Sequence, residues 1–326
     1  MTDGGKRMFV LRRLGGRAVL AVAGASLIYL LAALSLDPRA EVEGRSPRPS
    51  ATAVTAYLRT RDLDDRVPLL RRYATWASGV TRGDFGETLD GAPVRDSLGP
   101  RLGVSLRLVA AGAVPGFVGG VLLGAAGAAR QYGLGDRLLT AGTLVTLSVP
   151  VFALAVLLQA GAQFVNARTG IRVFEWTGEY TPGSSEPAGR LRHLLLPAAT
   201  LALGQAAMYA RYQRGVMLDV LDAGYVRTAM AKGLRRRRAL TRHALRVAVI
   251  PMTPFAAYGL AALLTGTAIT EKIFAWHGMG EWLIDSVTRN DVNAVAACGC
   301  VAATAIPVAG LLSDLAQATL DPRIRS

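Results

Sequence analysis

Six apolar blocks, most of them about twenty residues long, constrain this chain more than any other feature. They are Ala18 to Leu36, Leu106 to Ala129, Leu138 to Phe164, Leu194 to Tyr209, Val247 to Ile269 and Ala294 to Leu312. A hydrocarbon core of about 30 Å is crossed by a helix of roughly 20 apolar residues. In lipid the backbone must satisfy its own hydrogen bonds, which a helix does within a single segment. The expected fold is therefore all-α, a polytopic membrane protein of about six transmembrane helices. Net charge is +14 over 326 residues, which in a soluble chain would point to nucleic acid. Here the basic residues cluster at the ends of the apolar blocks, where Lys and Arg set orientation. That pattern argues for a lipid bilayer and against nucleic acid.

The first block follows Lys6, Arg7, Arg12, Arg13 and Arg17. It is long for the core of a signal peptide, so it reads as an anchored helix with the N-terminus inside; a cleaved signal peptide is the alternative. Residues 37–102 are polar, with Pro47, Pro49 and Pro68, and are expected outside, with one or two amphipathic helices in Leu58 to Ser78. The second block is rich in Gly and Ala, residues that let helices approach closely in lipid. Pro150 should kink the third. The fourth is short and is expected to extend beyond its ends. Arg211 to Arg246 holds ten Lys and Arg against Asp219 and Asp222, the strongest inside signal in the chain. The expected organisation is 1–36 (inner N-terminus and first helix), 37–102 (outer segment), 103–314 (membrane core with inner loop 210–247) and 315–326 (inner tail). Cys298 and Cys300 lie about 200° apart on a helix, as buried thiols rather than a disulfide or metal pair. Three scattered histidines make no metal constellation, so no cofactor is expected.

Within the inner loop, Tyr225 to Pro251 reads as a short helical pattern up to Gly233, four arginines from Arg235 to Arg238, then a second helical pattern ending at Ile250-Pro251. A loop that only turns the chain around needs basic residues but no small-residue helix and no glycine stop. Thr228, Ala229 and Ala231 permit close approach of a partner. Gly233 can adopt positive φ and end the helix. Arg235 to Arg238 suit anionic headgroups or an acidic partner. This is the form of a rigid docking lever.

The residues Tyr225-Val226-Arg227-Thr228-Ala229, with Lys232-Gly233-Leu234 and the later Ile250-Pro251, resemble the coupling loop of binding-protein-dependent ABC-importer permeases. Arg-Thr-Ala replaces the general Glu-Ala-Ala and is similar to the dipeptide, oligopeptide and nickel branch. Arg242-His243-Ala244-Leu245-Arg246, the opening Phe9 to Leu14, Gly83-Asp84-Phe85-Gly86 with Pro93-Val94, the segment Glu271 to Gly280 and the ending Leu320 to Arg325 resemble the same branch, at its first permease subunit. Two places depart from it. His277 stands where the family usually has proline, and Ser35-Leu36-Asp37-Pro38 replaces a usual Pro-Gly-Asp-Pro.

The resemblance implies a type I ABC-importer permease (MetI-like) fold. It implies a second homologous permease, two ABC ATPase subunits and an extracytoplasmic substrate-binding protein as partners, in a cell membrane with both termini cytoplasmic. It assigns coupling to Arg227, Thr228, Ala229, Lys232 and Gly233. Receptor contact or an outer gate falls to Asp84, Phe85, Glu271, Trp276 and Gly280; an ordinary turn and an interfacial anchor are their plainer roles. Gln159, Gln163 and Gln205 are the polar candidates for the translocation path, or else interhelical hydrogen bonders.

No G-x-x-x-x-G-K-[ST] sequence occurs, so ATP chemistry is assigned to separate subunits, and no catalytic residue is expected. A secondary transporter would need charged or broken helices near the midplane, and the blocks offer no such set. A wide, weakly polar path suits peptides; nickel or another small solute is the alternative.

Overall fold

The computed structural model describes residues 3–180 and 187–320, and the regular elements among them are helices. The helices are α1 (Asp3–Ser35), α2 (Pro38–Glu43), α3 (Ala51–Arg59), α4 (Leu69–Val80), α5 (Val94–Ala129), α6 (Leu134–Ser148), α7 (Val151–Thr169), α8 (Pro187–Leu221) and α9 (Gly224–Ala231). They continue with α10 (Arg236–Ala239), a π-helical turn (Leu240–Ala244), α11 (Leu245–Ala248), α12 (Met252–Gly266), α13 (Ala268–Phe274), α14 (Met279–Thr288) and α15 (Val292–Leu320). Of the terminal motif Leu320 to Arg325, all but the first residue lies outside the described residues. The chain divides into two compact units, Met1–Ser105 with His277–Val308, and Leu106–Trp276 with Ala309–Ser326.

In the first unit the polar segment after α1 is a built structure. Asp37 caps α2 through the Ala40 N–H at 3.0 Å, with Pro38 at the first helical position. Ser50 caps α3. Tyr29 of α1 stacks on Trp76 of α4 at 4.4 Å, over a core that includes Val54, Leu58 and Leu63. The Asp64 carboxylate is buried between Arg39 (3.3 Å) and Arg59 (3.0 Å). Asp291 caps α15 through the Ala294 N–H (3.1 Å) and also accepts the Leu89 N–H (2.9 Å). Small residues let α1 and α15 meet: Gly299 lies under Ile28, and Gly24 under Ala303. The outer face of α1 stays bare, with Leu20, Leu27 and Leu34 all more than half exposed. Such a stripe is a liability in water and the expected lipid face in a bilayer.

The second unit is organised by glycines. A β-carbon on Gly112, Gly116 or Gly120 of α5 would lie 2.6, 2.9 and 2.6 Å from the β-carbons of Leu201, Gln205 and Tyr209 on α8. One on Gly124 would lie 2.9 Å from that of Gln213. Only residues without a side chain allow this approach, and the spacing of four on both helices keeps them in register. The numbers rise together, so α5 and α8 run parallel. Phe117, Tyr209 and Phe255 interlock edge to face at 5.3 Å each, tying α12 to this pair.

Two differences from the sequence reading stand out. The block Leu138 to Phe164 is broken rather than kinked: α6 ends at Ser148, and Pro150 becomes the N-cap of α7, since its ring cannot continue the helix. The fourth helix extends at both ends, as its shortness led us to expect, but as far as Leu221, so Gln213 and Arg214, expected in a loop, are helical. The fall in hydropathy at Arg211 marks where apolar surroundings end, and the backbone pattern continues past it. By length and composition, α1, α5, α7 and α15 can each cross a membrane. The pair Leu240–Ala248 and Met252–Leu264 passes the same test together but is bent by 54°, as a broken span or a re-entrant loop is.

Candidate functional site

One end of the second unit carries the loop singled out from the sequence. Ala223 caps α9 in extended conformation, and α9 runs two turns. Val226 is fully buried in a cluster with Ala128 of α5, Met217 of α8, Leu240 of the π-turn and Ala248 of α11. Met230, one turn on, packs against the same cluster. The opposite face is open: Tyr225, Thr228, Ala231 and Lys232 are exposed, while Ala229 is half-buried. Arg227 is exposed and pairs with Asp222 at 3.7 Å. The Thr228 hydroxyl donates back to the Gly224 carbonyl at 2.8 Å, which satisfies it within the helix.

The helix stops by a defined device. Lys232 is the C-cap, and Gly233 follows at φ +91°. The Gly233 N–H donates to Met230 O (3.0 Å), and the Leu234 N–H to Ala229 O (3.2 Å). These are the two bonds of a Schellman motif, and Leu234, like Met230, packs against the same cluster. The chain then turns through α10 and the π-turn. It enters α12 across Ile250-Pro251, where proline accounts for the bend. Arg227, Thr228, Ala229, Lys232 and Gly233 are thus gathered on one short helix and its stop.

Beside it, at the α5–α6 turn, the Asp136 carboxylate accepts two bonds from Arg214 of α8, at 2.6 and 2.7 Å, and the Tyr132 N–H at 2.9 Å. The Arg214 guanidinium holds this carboxyl below the usual carboxylate range. The sequence reading missed this pair. Its signal was an acid in an otherwise basic inner loop, which needs a partner if buried.

The other candidates fall into separate surroundings. In the first unit, Asp84 is exposed and accepts the Gly86 N–H at 2.9 Å, closing its own turn. Phe85 is half-buried on two apolar clusters, and Gly280 is buried in α14. There Met279 N–H bonds the Ser105 hydroxyl (2.8 Å), and His277 Nδ1 lies 2.7 Å from Glu281. In the second unit Glu271 is fully buried and accepts the Thr267 hydroxyl at 2.9 Å, and its carbonyl accepts the Trp276 N–H at 2.8 Å. Trp276 is also buried. Both shape the turn after α13 and leave little surface of their own.

Of the glutamines, Gln159 donates to the carbonyls of Trp176 (3.4 Å) and Ile273 (3.3 Å), and Gln163 is exposed. Gln205 shares its face of α8 with Tyr209 and Gln213. Gln213 is fully buried, with neither amide atom hydrogen-bonded among the described residues. This polar stripe at spacing four was visible in the sequence only once α8 was known to continue. Cys298 and Cys300 are buried, and neither is in a disulfide among the described residues.

Comparison with known proteins matches residues 116–326 to the family described as binding-protein-dependent transport system inner membrane component. The chain is 48% identical over 322 residues to the oligopeptide transport system permease protein OppB of Mycobacterium tuberculosis, covering 97% of this chain and 98% of that one. It is 32% identical over 320 residues to the probable peptide ABC transporter permease protein y4tP of Sinorhizobium fredii (98% and 99% covered). It is also 32% identical over 265 residues to the dipeptide transport system permease protein DppB of Bacillus subtilis (81% of each).

Proposed function

The chain belongs to the binding-protein-dependent transport system inner membrane components, and from that premise we propose that it is the permease subunit of an ATP-driven oligopeptide importer. The observation that carries the mechanism is α9: a short helix anchored inward by Val226, open outward, and stopped by a glycine-dependent cap. The names of the full-length relatives support peptides as the substrate class.

In this reading the chain crosses the cell membrane six times, with both termini cytoplasmic. Residues 37–102 lie outside, 103–314 form the membrane core and 210–247 form the inner loop. It pairs with a second homologous permease, two ATPase subunits dock below, and an extracytoplasmic binding protein delivers substrate above. It has no ATPase site of its own and does no covalent chemistry.

Closure of the ATPases pushes on Thr228, Ala229, Lys232 and the Arg227 side chain. Because Val226 shares one packed core with α5, α8 and α11, that push reaches several helices together instead of bending a loop. Gly233 keeps the lever short and stiff. Asp84, Phe85, Glu271, Trp276 and Gly280 serve the receptor contact or outer gate, the buried ones by holding the shape of their loops. Gln159, Gln163 and Gln205 are the polar candidates along the path.

Purification of the tagged chain from its native membrane in mild detergent, with partners identified by mass, tests this reading. Recovery with a second permease and P-loop ATPases, whose ATP hydrolysis rises when binding protein and peptide are added, is the expected result. Recovery of the chain alone, under conditions that preserve other ABC complexes, would overturn it.

A further inference from the structure

A groove of about 930 Å³ runs between the end of α5, the start of α6 and the π-turn. Its walls include Leu122, Leu123, Leu139 and Leu245, and Arg130 and Thr241 also line it. Leu122 and Leu123 are 57% and 47% exposed, so the apolar wall is open to the surroundings. The acid that lines it, Asp136, is already neutralised by Arg214. Arg130 is exposed and enters no ion pair among the described residues. The same holds for Arg137 and Arg242, which directly follow the lining residues Asp136 and Thr241. Tyr132, in the turn between Arg130 and Arg137, is 72% exposed, as aromatic residues are at the level of the headgroups.

The groove therefore has an apolar body beside uncompensated positive charge. A helix of another protein laid into it would have to bring acids for these arginines or leave them unpaired away from water. An amphiphile with an anionic head and apolar chains satisfies both parts. Basic pockets between membrane helices on the cytoplasmic side hold such headgroups.

We infer that this groove is a binding site for an anionic phospholipid of the inner leaflet, with acyl chains along Leu122, Leu123, Leu139 and Leu245 and the phosphate at Arg130. The inference rests on the membrane orientation given under the proposed function. The bound lipid ties the α5–α6 turn to the π-turn through which α9 leads into α12.

The test places a photoreactive benzoylphenylalanine at Leu123 of the full chain. The chain is then irradiated within its complex, in nanodiscs of phosphatidylcholine mixed with phosphatidylglycerol. The adduct is identified by mass. Phosphatidylglycerol enriched over its share of the bilayer is expected. Arg130→Gln should lower that adduct about fivefold, the weight of one arginine near an anionic headgroup. Arg211→Gln, exposed on α8 but outside the groove, should leave it unchanged. Adducts with the second permease, or lipid adducts in proportion to bilayer composition, would overturn the site. So would equal losses in both arginine variants. The readout needs no transport, so failure of peptide uptake would count against the functional reading and leave this one standing.

Discussion

Replacing Gly233 tests the lever at its weakest point. A β-carbon there would meet no atom within 4 Å, so a substitution causes no clash. The whole effect comes from φ +91°, a left-handed conformation that disfavours L-residues by about 1–2 kcal/mol. Alanine should carry that penalty, a β-branched valine more, and asparagine less, because its short polar side chain tolerates this region. The α9 helix has only eight residues and is marginal by itself. A loss of 1–2 kcal/mol shifts the balance between the capped and frayed loop by about five- to thirtyfold. Insertion depends on the apolar spans and should stay normal. The assay is peptide uptake beside ATP hydrolysis in the intact complex, for all three variants. Uptake per ATP should fall in the order Asn, Ala, Val, with hydrolysis retained. Wild-type uptake by Gly233→Val would refute the lever. Asparagine as damaging as valine would refute the backbone argument specifically.

Four further outcomes follow from local packing. Gly120→Ala puts a β-carbon 2.6 Å from that of Tyr209 and 2.8 Å from the Ala206 carbonyl, so it should lower stability in detergent by about 1–3 kcal/mol; Gly119→Ala meets nothing within 4 Å and should be neutral or mildly stabilising, both read by thermal unfolding. Asp136→Asn leaves the Arg214 guanidinium, only a quarter exposed, without its counter-charge and should lower stability by about 1–3 kcal/mol. Because Arg214 depresses the Asp136 carboxyl, the pair's contribution is fully present above the ordinary carboxylate range and is lost as pH falls through the lowered value; unfolding temperatures should show no loss from this pair between about pH 8 and 5, and one only in stronger acid. Asp291→Ala strands the Leu89 and Ala294 N–H groups, at about 1–3 kcal/mol, whereas Asp291→Asn keeps an acceptor and should be milder, since burial already pushes this carboxyl above its usual range.

Much of this was legible in the sequence because lipid leaves the chain few choices. Apolar block length and basic flanks give the helical class, and the Gly233 stop follows from one residue type in one position. Two things were harder to read. Hydropathy locates the membrane edge but not the helix end, so α8 continued through Arg211 and carried Gln213 and Arg214 with it. Pro150 could either kink a helix or cap a new one, and only packing against α8 decides which. The polar segment after α1 was the least legible. Its short helices owe their order to caps at Asp37 and Ser50 and to the Asp64 ion pairs, which bring together residues with no shared periodicity. The inward face of α9 was equally hidden. Val226 looks like any valine until the cluster that buries it is assembled.

The most direct test of the central claim is accumulation of a labelled oligopeptide by proteoliposomes that hold the complex, with binding protein on the receptor side and ATP on the other. The account predicts accumulation against the gradient that requires ATP, ignores an imposed proton or sodium gradient, and collapses in Gly233→Val. Accumulation driven by an ion gradient without ATP would contradict it and identify a secondary transporter instead.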